Sequence, residues 1–235
     1  MPQGESAFYF GVAVNSGDAL AKLRREGDPD PNSLEENPAP TVKEVGFPFD
    51  ALPVSYAVGS RFGLGHGLEL QFSGEAWHIA GLGLSGGLKW QFAGLSKDDR
   101  FAAAFKVRLG GAFAGAGTKE DGGGITLGVA EMGLPLSIHP TGDNNAIYIQ
   151  PRLGVLNVQD RQNGAAFNDS ATVFGGGLTT GGLIRIGSAL LVLEGSVLYV
   201  PQQNNLDDDA IQFFGAIGVV FSKKGSHPLD GYSPP

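Results

Sequence analysis

Phe101-Ala-Ala-Ala-Phe-Lys-Val-Arg-Leu-Gly-Gly-Ala-Phe113 decides the fold. Phe101, Ala103, Phe105, Val107, Leu109 and Phe113 share one parity, and Lys106 and Arg108 share the other with Ala and Gly. Successive side chains of an extended chain point to opposite faces, so the segment reads as a strand with one bulky apolar face and one small, charged face.

The same beat extends in both directions. Upstream it runs through Phe8 to Val14, Val54 to Leu64, Leu68 to Phe72 and Leu82 to Phe92. Downstream it runs through Ile147 to Val155, Phe174 to Ile186, Leu191 to Tyr199 and Ile211 to Phe221. A less regular sixth segment, about 124–138, brings the expectation to ten strands. Long polar connections (about 17–50, 116–123, 159–169, 202–209) alternate with tight ones at Gly65-His66-Gly67, Leu95 to Asp99, His139 to Asn145 and Gly187-Ser188. The third-to-fourth link, Trp77 to Ala80, is the exception, being short where a long one is due. An up-and-down antiparallel meander has this pattern. One helix is predicted, Ala19 to Glu26, capped by Asp18 and ended by Gly27.

Composition narrows the class. The 235 residues include 38 glycines and no cysteine, and only 17% are charged. Disorder needs low hydrophobicity with high charge, and collagen needs a three-residue glycine period, so both are excluded. A net charge of −8 with no basic stripe argues against nucleic acid. No run approaches the ~18 apolar residues of a spanning helix. Met1 to Glu5 has neither positive charge nor an apolar core, so the expectation is a chain never exported or a mature chain with an added initiating methionine.

Ten charged residues lie within strands: Arg61, Glu69, Glu75, Lys89, Lys106, Arg108, Glu131, Arg152, Arg185 and Glu194. All but Glu131 fall opposite the apolar row, which random placement would produce roughly once in 500 times. Glu131 joins them if a bulge near Ala130 shifts the phase, leaving Met132, Leu134 and Leu136 to carry the apolar row. A charge-free row faces either a soluble core or lipid. A ten-stranded barrel cannot enclose on the order of fifty bulky apolar side chains, whereas the small, charged row fits inside. A two-sheet sandwich escapes that volume argument and stands as the alternative.

The aromatics favour lipid. Phe8, Phe62, Trp90, Phe92, Phe101 and Phe221 fall at the short-turn end, and Tyr56, Phe113, Phe174, Tyr199 and Phe213 at the long-loop end. Two belts separated by aliphatic residues suit the two membrane interfaces. The expected architecture is therefore an all-β, antiparallel up-and-down transmembrane β-barrel. It spans 1–221, with a long extracellular loop at 17–50 and a flexible tail at 222–235.

In its alternating strands, two kinds of end, aromatic belts and last strand Ile211-Gln-Phe-Phe-Gly-Ala-Ile-Gly-Val-Val-Phe221, residues 5–221 resemble the small bacterial outer-membrane β-barrel proteins, the class of OmpA-like and OmpW-like barrels. The resemblance implies an outer-membrane location, lipid as the surrounding partner, and a closing strand read by the assembly machinery. The tail beyond Phe221 and Pro151, which costs a ladder hydrogen bond, depart from the pattern.

Candidate chemistry is sparse. Gly81-Leu-Gly83-Leu-Ser-Gly86 matches a dinucleotide fingerprint but precedes a strand, so no cofactor is expected. Asp207-Asp208-Asp209 lacks the spacing of a calcium loop, and no metal site is expected. His78 lies near Ser73 and Glu75, the basis of an alternative reading as a rim hydrolase, but the three do not share a face; the expectation is no enzyme. Six bases and four acids in the lumen row leave a charge of +2 there. Buried charges need partners, so Glu69, Glu75, Glu131 and Glu194 should pair with the bases and obstruct a wide pore. The primary expectation is a charged, largely filled barrel with a structural role, or an interaction role exposing its loops to a protein partner. The alternative is a narrow anion-leaning channel.

Overall fold

The computed structural model describes residues 6–17, 54–77, 81–95, 99–116, 123–140, 145–161, 169–187, 189–202 and 209–222. The 17–50 loop with its predicted helix (apart from Gly17), His78 and the tail beyond Ser222 lie outside the described residues.

Eleven strands follow one another: β1 (Ser6–Gly17), β2 (Val54–Gly65), β3 (Leu68–Trp77), β4 (Gly81–Ala93), β5 (Phe101–Ala116), β6 (Gly123–Gly133), β7 (Leu136–Ile138), β8 (Asn145–Arg161), β9 (Asp169–Ile186), β10 (Ala189–Val200) and β11 (Ala210–Ser222). Every pairing is antiparallel, and the first strand closes on the last, Phe8 opposite Phe221 and Val12 opposite Ile217. Closure excludes the two-sheet sandwich and leaves no free edge. β6 and β7 both lie between β5 and β8, so together they form one stave and the barrel has ten.

Two prolines explain the break in that stave. Leu134 N donates to Pro151 O, and Ala104 N donates to Pro135 O, at 3.0 Å each. A residue's N–H and C=O point to the same neighbour in an antiparallel sheet, so the donor missing from Pro151 falls opposite Leu134–Pro135. The cost of both prolines is thereby concentrated where the ladder is already interrupted.

At the β2–β3 turn, His66 and Gly67 have φ of 52° and 76°. Positive φ at both loop residues is what a two-residue hairpin with type I′ twist demands, and glycine supplies it without strain.

The apolar row faces outward. Leu82 and Leu84 are 72% and 76% exposed, and Leu88, Phe105 and Leu193 are also exposed, while Lys106 is only 2% exposed. Staves of 10 to 18 residues match or exceed the ~9–11 that cross a bilayer at a tilt. An apolar exterior of this extent on a closed sheet is a lipid-facing surface.

One phase assignment is corrected. β5 and β6 pair without a register shift from Lys106–Gly133 to Ala116–Gly123, so no bulge occurs near Ala130. Glu131 faces inward because the whole strand has the opposite phase. Met132 points out, and Leu127 and Val129 line the interior.

Candidate functional site: the barrel lumen

The interior differs in chemistry from one side to the other. Strands β2 to β6 carry most of the charge, joined by Arg152 of β8 and Glu194 of β10. Strands β8 to β11 contribute inward leucines, valines and Phe214. Inward apolar residues form two clusters. One, at the short-turn end, joins Tyr9, Tyr148, Leu183, Leu190, Val192 and Val220. The other, toward the long loops, joins Val173, Val200 and Ala210, with Leu156 and Leu198 against them.

The described side chains of the short-turn half are densely packed. Arg61 Nε lies 3.8 Å from Glu69 Oε1, with both side chains at most 3% exposed. Gln71 donates to the same oxygen at 2.6 Å. Arg61 stacks over the Tyr9 ring at 5.5 Å. Lys89 sits opposite Glu69 on one side and Lys106 on the other, and all three are buried. Gln91 closes the bottom by donating to Gly94 O at 2.5 Å.

Two tyrosines brace this plug in the same way. Tyr148 lies opposite Gly181, which lies opposite Glu194, so the ring crosses a glycine to donate to Glu194 Oε2 at 2.9 Å. Tyr9 lies opposite Gly59, which lies opposite Ser73, and its hydroxyl is within hydrogen-bonding reach of Ser73. A Cβ on either glycine would run into the tyrosine ring. Ser73 also shares a 2.5 Å hydrogen bond with Ser85.

The long-loop half holds a cavity of about 380 Å³. An ion chain runs along one wall. Arg108 lies 3.6 Å from both Glu75 and Glu131, and Arg152 donates to Glu131 at 3.3 Å. The facing wall is apolar, formed by Val173, Leu198, Val200 and Phe214 among others.

Of the ten expected lumen charges, nine fall into these two groups: Arg61, Glu69, Lys89 and Lys106 in the plug, and Glu75, Arg108, Glu131, Arg152 and Glu194 around the cavity. Two pair differently from expectation. Glu194 is held by Tyr148 and Ser196 rather than by a base, because Gly181 lets the tyrosine reach across. Arg185 turns to its own hairpin, donating to Gly187 O at 3.4 Å. The inward leucines and valines of β6 and β8 to β11 were not recognised in sequence. The signal was a run of apolar residues at both parities, as in Leu190-Leu-Val-Leu193.

The eleven aromatics expected at the interfaces are all exposed. Trp90 and Phe92 touch with centroids 5.8 Å apart. Asp209 of the acidic triplet accepts from Tyr199 Oη at 2.8 Å and Gln202 N at 2.7 Å. These two donors hold its carboxyl below the usual carboxylate range. Asp207 and Asp208 lie outside the described residues. The dinucleotide-like glycines lie within β4, with no helix after them.

No protein-family model and no curated protein matches the chain. Solved structures do. The translocator domain of the autotransporter NalP from Neisseria meningitidis is similar over 94% of this chain and 89% of its own, at 11% identity and a TM-score of 0.48. Ail, the attachment invasion locus protein of Yersinia pestis, is similar over 94% and 99%, at 12% and 0.34. The N-terminal β-barrel domain of Pseudomonas aeruginosa OprF is similar over 94% and 100%, at 10% and 0.33.

The fold is that of bacterial outer-membrane barrels. An even number of antiparallel staves, short turns at one end, longer loops at the other and an apolar exterior together define that architecture. The outer membrane is the place where such an exterior is solvated by lipid.

Proposed function

We propose that this barrel is a plugged outer-membrane component whose work is structural or interaction-based: it holds its long loops, above all 17–50, at the membrane surface. The observation that carries this is the plug. Arg61, Glu69, Gln71, Lys89, Gln91 and Lys106 are each no more than 7% exposed, and a dense layer of this kind at the short-turn end supports a lumen without a wet path. The role is read as non-catalytic, since Ser73 is engaged by Ser85 and Glu75 by Arg108. The partners proposed are membrane lipid around the apolar band and a protein met by the loops.

An anion-leaning channel is the second reading. It is favoured by the plug's three cations, Arg61, Lys89 and Lys106, against the single acid Glu69. Reconstitution in planar bilayers tests the choice. The plugged barrel shows no stepwise ion current, and anion-selective steps from the unaltered chain would reject it in favour of the channel.

A further inference from the structure

We infer that the long-loop half of the lumen is a binding site for a small amphipathic cation, an amine carrying an aliphatic body. This goes beyond the plugged-barrel reading and does not depend on it, since ion current tests the plug and ligand binding tests the cavity. A volume of about 380 Å³ lies within the ~300–1,000 Å³ of small-molecule sites. Outer-membrane barrels ordinarily have polar interiors, whereas here Val173, Leu198, Val200 and Phe214 line the cavity. Water gains few hydrogen bonds against such a wall, and an alkyl body gains by displacing it.

Charge selects the head group. The cavity is lined by three acids and two bases, so the lumen's positive surplus resides in the plug and at Arg185. Glu75, Arg108, Glu131 and Arg152 form one mutually compensated chain. Glu194 lies outside that chain, within the electrostatic reach of Lys106 and Arg152 but in direct contact with neither. It accepts from Tyr148 at 2.9 Å and from Ser196 at 3.5 Å, and has no ion-pair partner among the described residues. A largely buried carboxylate with no direct ion pair, facing an apolar wall, calls for a cation.

The test is calorimetric titration of the full-length barrel in nanodiscs with octylammonium, octanoate and octanol. Heat-shifted migration on gels confirms that each variant is folded. The expected result is a saturable octylammonium component at least about tenfold tighter than octanoate. Glu194→Gln weakens octylammonium about tenfold and leaves octanol unchanged. Ala216→Trp, which fills the cavity from the apolar wall, removes the saturable component for all three. Octanoate binding as tightly as octylammonium would overturn the assignment. So would a component that survives in Ala216→Trp, or no saturable component at all.

Discussion

The two halves of the lumen are built from the same residue types to opposite effect. In the short-turn half, charges are packed against glutamines and tyrosines and lose contact with water. In the long-loop half, an ion chain of similar composition borders an open cavity, with Arg108 and Glu75 still 21% and 30% exposed. The difference lies in what each side chain lies against. Buried charges depend on every partner, because the alternative is an unsolvated ion. Partly wet charges substitute water for a lost partner at little cost.

Single removals give the sharpest contrast. Glu69→Ala removes the carboxylate that faces Arg61 and Lys89 in the plug and should cost about 3–5 kcal/mol, the range for breaking a buried pair. Arg108→Gln in the cavity wall should cost about 1 kcal/mol or less, since water reaches Glu75 and Arg152 still holds Glu131. Urea unfolding of the two variants in the same lipid measures the ratio. Equal costs would erase the distinction between plug and cavity wall.

The tyrosine–glycine braces give an intermediate effect. Gly181→Ala drives a methyl into the Tyr148 ring and within 2.6 Å of Leu193 O, and overpacking of this kind costs about 1–3 kcal/mol. Gly195→Ala, whose Cβ would meet nothing within 4 Å, should be near neutral by the same unfolding measurement. A neutral Gly181→Ala would mean that the brace is not a constraint.

The smallest effect lies outside the barrel wall, at the Tyr199–Asp209–Gln202 clasp. Asp209 has a lowered folded pKa, so its contribution is complete above the ordinary carboxylate pKa and is lost as pH falls through the lowered value. The protection factor of the Gln202 amide, its exchange rate relative to the unfolded chain at the same pH, should therefore fall only at acidic pH, while the plug amides keep their protection. A protection factor that does not change with pH would show that the clasp does not depend on the carboxylate.

Much of this was legible along the chain. Alternation assigned the strands, and charge parity turned Leu88 and Phe105 outward and Lys106 inward. The aromatic positions followed from strand direction. Other features could not be read that way. The bulge expected near Ala130 does not occur, because Leu127 and Val129 line the interior in phase with Glu131; when both parities are apolar, period-two reasoning loses its phase. Glu194 was paired with a base because sequence does not show which side chains share a level in a tilted barrel. Three adjacent strands bring Tyr148, Gly181 and Glu194 into one row although 46 residues separate the two ends.

The sequence by itself determined that each strand has one bulky apolar face and one small, charged face, because alternation is a local property that each strand carries alone. Only the tertiary structure decided that the sheet closes and that the interior has a densely packed half and a half with a cavity. That outcome depends on the stagger between strands, which sets which side chains meet across the lumen, and stagger belongs to the closed sheet rather than to any one strand.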